Sequence, residues 1–369
     1  MSERPPLLWD LVRMVIKMIV GGFVVIGLVS CGVATVAGAG ASAGGKKVEK
    51  KAESQFIYGE EDSDNAIMQV EIKGPILTHK PDDADGGFFG SLIPVTYGYE
   101  VKEQLLKAAK DDSVKAVMMF VTTPGGSIVG SEAIHDGVLA VKAAGKPVIS
   151  YVDTISASGG VWSTAASDKI FADHGSIIGS VGVNFGNIQY FDDPIAVDGG
   201  IFSGGIETRG GVKTKFIGAG LGKDIGNPFR PMTEREERLL NQMAEEFYVK
   251  FLDHVVENRG MDRQALIEQH GAMIYSNDFA QQYGYIDDTK TYQETLAYIG
   301  QQIGAEGDDW KLVSPPTIEK TPFEELFGAR VKGVNLEQAA RIQHSAMCKE
   351  LTAGPVAMST QKLVGLCGV

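Results

Sequence analysis

Cysteine is scarce in this chain, with Cys31, Cys348 and Cys367 the only three in 369 residues. Their spacing fits no zinc motif. Cys348 and Cys367 can pair in an oxidising compartment or stay as two free thiols, and the sequence leaves both open. A basic balance is also lacking. The formal net charge is −13, and no lysine/arginine run forms a stripe that could track phosphates, so nucleic acid has no electrostatic support as a partner. No internal repeat is present, which sets solenoids and propellers aside. What remains is ordinary in composition: 44% apolar and 22% charged residues, enough to build a core of normal size.

One run departs from that average. Residues 18–40 hold no charged side chain. Roughly 20 apolar residues cross a bilayer as helix, and the run exceeds the usual apolar region of a signal peptide. The reading is a transmembrane signal anchor over 18–41, behind a cytoplasmic flank over 1–17. Two rivals stay open. Leu28-Val29-Ser30-Cys31 resembles a lipobox, and Ala37-Gly38-Ala39 would serve as a signal-peptidase site. Arg4, Arg13 and Lys17 precede the run, and Lys46, Lys47, Lys50 and Lys51 follow it, so charge alone does not orient the span. Residues 42–62 are polar and read as a linker.

A globular pattern follows. Residues 66–72 alternate as a strand should, residues 99–111 carry helical spacing, and Val114–Val121 is a β-rich apolar run. A helix over 128–144, stopped by Gly145, precedes a buried-type strand over 147–152. This alternation predicts βαβ units and a mostly parallel sheet, hence an α/β fold. Active sites on such sheets gather beyond the strand C-termini. Two glycine-rich turns lie at that edge: Thr123-Pro124-Gly125-Gly126-Ser127 and Ser156-Ala157-Ser158-Gly159-Gly160. Further on, Thr233 and Glu236 form a capping box for a long helix that Gly260 stops.

The two turns suggest acyl-transfer chemistry. Glycine lets backbone approach a reacting carbonyl, and preorganised N–H groups stabilise a tetrahedral oxyanion. Gly126 and Gly159 can each supply one N–H beside a Ser158 nucleophile. A serine hydroxyl also needs a base. None of the six histidines sits in a triad motif, and His174 is the best placed of them. A lysine base would need its pKa lowered by roughly three units through apolar burial. On spacing alone Lys223 is no better than Lys213 or Lys215, and Asp224 beside it opposes the shift if it faces the same way.

These segments, taken in order with Gly179-Ser180-Val181-Gly182-Val183, Lys223-Asp224, Asn227-Pro228 and Gly284-Tyr285-Ile286-Asp287, resemble the signal peptide peptidase A family of bacterial serine peptidases, short single-copy form. The resemblance covers about residues 65–290. It implies a Clp protease/crotonase-like superfold and a serine peptidase domain over 63–295. It further implies a Ser/Lys dyad of Ser158 and Lys223, an oxyanion hole from Gly126 and Gly159, and Ser180 as a residue that orients the lysine. The implied partners are peptide substrates, the membrane and further copies of the chain in a ring. The implied site is the external face of the cytoplasmic membrane, and neither metal nor cofactor is implied. Three departures stand out: an insertion expected within 190–211, Tyr275 in place of a tryptophan, and Asn277 in place of a glycine. Residues 296–369 form an extension of unassigned role. Two other readings remain: a crotonase-type acyl-CoA enzyme, and a non-catalytic membrane scaffold of the same fold.

Overall fold

The core strands are the apolar runs of the sequence. Ala66–Lys73 (β2), Val114–Thr123 (β5) and Val148–Ala157 (β7) are almost wholly buried, as expected of parallel strands covered on both faces. The computed structural model describes residues 54–80, 94–184, 217, 219–316 and the backbone of 356–358, all within the unit Ala52–Val369. The expected anchor over 18–41 and the expected insertion over 190–211 lie outside the described residues. Among the described residues no helix is long and apolar enough to cross a membrane.

The main sheet runs β1-β12-β2-β5-β7-β8-β11, where β1 is Phe56–Gly59, β8 Lys169–Ala172, β11 Asp288–Thr289 and β12 Lys311–Val313. Every pairing from β12 to β11 is parallel, and β1 closes one edge antiparallel to β12. The sheet therefore extends beyond the expected domain limits of 63 and 295 at both ends. On one face lie Gly98–Lys110 (α1), Ile128–Ala143 (α2), Gly159–Thr164 (α3) and Glu234–Arg259 (α4); on the other lies Tyr292–Gln302 (α6), with Asn277–Tyr283 as α5. Alternation splits each strand between two cores. Met68, Val117, Met119 and Val152 pack toward α1 and α2, while Ile67, Met118, Tyr151 and Trp310 pack toward α6. The expected mostly parallel α/β architecture is thus present.

Two local events build the site. First, β7 changes partner. Ile149–Val152 pairs with β8, but Ile155–Ala157 pairs with Ile177–Gly179 (β9), which in turn pairs with Ile274–Ser276 (β10). The polar residues Asp153, Thr154 and Ser156 hide this second half from an apolar-run reading, so the strand runs five residues past Val152. Second, β5 ends at Thr123, and the chain turns at Pro124 into Gly125–Ser127 (β6). What read as a turn is a strand of a second sheet, ordered β13-β6-β3-β4, with Ile76–Leu77 as β3, Thr96–Tyr97 as β4 and Val356–Met358 as β13. β13 is antiparallel to β6, with Ala357 opposite Gly126.

Candidate active site

Ser158 stands between β7 and α3 with φ 55° and ψ −110°. L-residues rarely adopt this backbone, which costs about 1–3 kcal/mol and persists only where the surroundings enforce it. The enforcing contacts are visible. The Ser158 N–H donates to the Gly179 carbonyl at 2.7 Å, and the Ser158 carbonyl accepts from the Trp162 N–H at 3.0 Å. The residue is fully buried, and its hydroxyl donates to the Gly182 carbonyl at 3.3 Å. A hydroxyl at the N-terminus of a helix behind a buried strand is fixed in place and sits at the positive end of the local dipoles.

Gly126 and Gly159 meet beside it. A Cβ on Gly159 would lie 2.5 Å from Ser131 Oγ and 3.0 Å from the Gly126 nitrogen. One on Gly126 would lie 2.1 Å from the Ile76 carbonyl oxygen. Neither position has room for a side chain, so Gly126 packs against Ile76 and Gly159 against Ser131 and Gly126 more closely than any other residue would permit. The approach is fastened by hydroxyls. Thr123 Oγ1 accepts from the Gly125 N–H at 3.0 Å and donates to the Gly74 carbonyl at 2.6 Å. Ser131 donates to the Ser127 carbonyl at 2.9 Å. Two tightly packed glycine backbones next to a strained, buried serine are suited to present N–H groups to an oxyanion.

Residues 140–306 match the model of peptidase family S49. The chain carries a peptidase family S49 domain. The match includes Ser158, Gly159, Ser180 and Lys223; Gly126 precedes it. A Methanocaldococcus jannaschii protein with a provisional protease name is 35% identical over 59% of this chain and 64% of its own length. Protease 4 of Haemophilus influenzae is 27% identical over 66% of this chain and 36% of its own. The matched region thus spans less than two thirds of either relative. The solved structure of a variant of the 1510-N membrane-bound stomatin-specific protease aligns at 17% identity with TM-score 0.37, over 63% of this chain and 83% of that one, too distant to bear on function.

Among the described residues, the other expected side chains of the S49 domain make no hydrogen bond to Ser158. Ser180 also has positive φ, 58°, and its N–H donates to the Met273 carbonyl at 2.6 Å. It is buried, but no hydrogen bond joins it to Lys223. Lys223 is exposed on a turn, and no hydrogen bond joins it to Ser158. Arg230 grips the carboxylate of the neighbouring Asp224 with Nε at 2.8 Å and Nη2 at 2.9 Å. Lys213 and Lys215 lie outside the described residues. His174 is exposed and lies 3.4 Å from Asp173, and no hydrogen bond joins it to Ser158. Among the described residues no cluster of histidine, cysteine, aspartate and glutamate could hold a metal ion.

Sequence reasoning missed the layer under α3. Trp162, Glu132 and His254 come from three different helices, and their individual spacings carry no motif. The pairing of β13 with β6 was equally illegible, because a strand of three residues is too short to show a period.

Proposed function

We propose that the chain is a membrane-anchored serine endopeptidase in which Ser158 is the nucleophile. The observation that carries this reading is the strained, buried Ser158 beside the Gly126 and Gly159 backbones, which pack with no room for a Cβ on either. The hydroxyl oxygen attacks the scissile carbonyl. The N–H groups of Gly126 and Gly159 hold the resulting oxyanion. Lys223 takes the hydroxyl proton and returns it to the leaving amine; water then releases the acyl group. For this role Lys223 must reach Ser158 from its exposed turn, with Ser180 as its orienting neighbour. No cofactor enters the scheme.

The proposed substrate is an extended apolar peptide such as a remnant signal peptide. Support comes from β6, whose outer edge already carries an antiparallel strand, β13. Strand addition uses main-chain hydrogen bonds and is tolerant of sequence. A substrate docking there takes the place of residues 356–358. Residues 18–41 are the proposed anchor, with the domain on the external face of the cytoplasmic membrane and several copies forming a ring. Hydrolysis of a fluorogenic apolar peptide by the purified chain tests the chemistry. Ser158→Ala and Lys223→Ala are each expected to abolish turnover with folding retained, and full activity in either variant removes that residue from the mechanism. Sedimentation velocity tests the ring, which a monomer across the accessible concentration range would rule out.

A further inference from the structure

Helix α3 is only six residues long, yet its first turn carries both Ser158 and the Gly159 N–H. So short a helix has little stability of its own, because nucleation is unfavourable. Its geometry must come from what it packs against, and that is concentrated on Trp162. The Trp162 N–H closes the turn on the Ser158 carbonyl. Its indole N–H donates to Glu132 of α2 at 2.6 Å. Its carbonyl lies 2.8 Å from His254 Nε2 of α4. A carbonyl only accepts, so Nε2 carries the proton. The His254 ring also stacks on the indole, with centroids 4.7 Å apart and planes 21° apart, and Phe251 packs on the same ring.

We propose that Trp162 is a positioning residue for Ser158, clamped by Glu132 and His254. This rests on the reading of Ser158 as the nucleophile. The clamp has a charge condition. His135 of α2 meets the His254 ring edge to face at 4.3 Å, and its Nδ1 is buried without a partner. Burial and the mutual proximity of the rings keep His135 neutral down to about 4, and burial lowers His254 as well. The surrounding charges are Glu132, Asp136 and Lys142 on α2 and Glu257 on α4; α3 brings no titratable side chain. A proton on either imidazole places a cation between tightly packed helices, and the contact between α4 and Trp162 loosens.

Two variants test this. His254→Leu removes the bond to the Trp162 carbonyl and is expected to lower kcat roughly tenfold with KM nearly unchanged, because a displaced nucleophile loses alignment while the β6 edge is untouched. His254→Gln retains an N–H donor and cannot take a proton. It is expected to hold the neutral-pH kcat and the wild-type KM. A His254→Leu enzyme with wild-type kcat overturns the proposal. Amide hydrogen exchange at Trp162 gives a readout that needs no activity: faster in His254→Leu, restored in His254→Gln. Unchanged exchange in His254→Leu overturns the clamp even if Ser158 is confirmed. Changed exchange in a chain whose turnover survives Ser158→Ala upholds the clamp and removes Ser158 as nucleophile.

Discussion

Ser158 bears the cost of its own geometry. At φ 55° and ψ −110° a residue with a Cβ is strained, and glycine is not. Ser158→Gly is therefore expected to stabilise the fold by a net amount on the order of 1 kcal/mol, after glycine's extra chain entropy is counted, while destroying turnover. Thermal melting and peptide hydrolysis, run side by side, check both halves; a variant that melts lower than the wild type contradicts the strain argument. Gly159→Ala acts in the opposite direction. Its methyl group would press on Ser131 Oγ and the Gly126 nitrogen, and overpacking of this kind costs about 1–3 kcal/mol. Loss of activity together with a lower melting temperature is the expected result.

At the scale of elements, the start of α4 and the Lys223 turn form one unit. Thr233 caps the helix and Glu236 answers, the capping box the sequence predicts. Glu236 also receives Arg230 Nη2 at 2.7 Å, and Arg230 grips Asp224. The turn is thereby tied to the helix N-terminus through one guanidinium. Hydrogen bonds from Arg230, then from Thr233, bring the Glu236 carboxyl down to about 2. Its contribution is present above its ordinary value of 4.5 and lost as pH falls through 2. Arg230→Ala is expected to speed amide exchange over residues 224–230 at neutral pH without changing exchange in β5. The second sheet gives another element-scale prediction. Because β13 covers the outer edge of β6, deleting residues 355–369 is expected to raise kcat/KM for an apolar peptide, and an unchanged value would mean that β6 is not where peptides dock.

For the whole molecule, acid sensitivity lies in the buried imidazoles. His135 titrates near 4 in the fold and at 6.5 as an ordinary histidine. Between those values the unfolded chain binds more protons, so stability falls as pH drops from about 6.5 toward 4. His135→Phe is expected to flatten that part of the melting-temperature profile, which differential scanning calorimetry can follow. The formal charge of −13 at pH 7 adds a self-repulsion that salt screens, so the histidine effect should be read at fixed ionic strength.

The sequence by itself determined the framework. Long apolar β-rich runs alternating with amphipathic segments can be buried only as a parallel sheet between helices, and β2, β5, β7, α1, α2 and the capped α4 lie close to where periodicity puts them. Local chemistry also singled out the glycine pairs, because a missing Cβ is visible in the sequence. Tertiary structure decided what those glycines touch. The approach of Gly159 to Gly126 depends on β5 turning into a second sheet, and the backbone of Ser158 depends on β7 leaving β8 for β9. The setting of Lys223 was illegible for a related reason: its exposure follows from how the chain around it packs, and no spacing rule announces that Arg230 pairs with Asp224. The Trp162 clamp is the furthest from the sequence, since its three helices meet only once the sheet has brought them together.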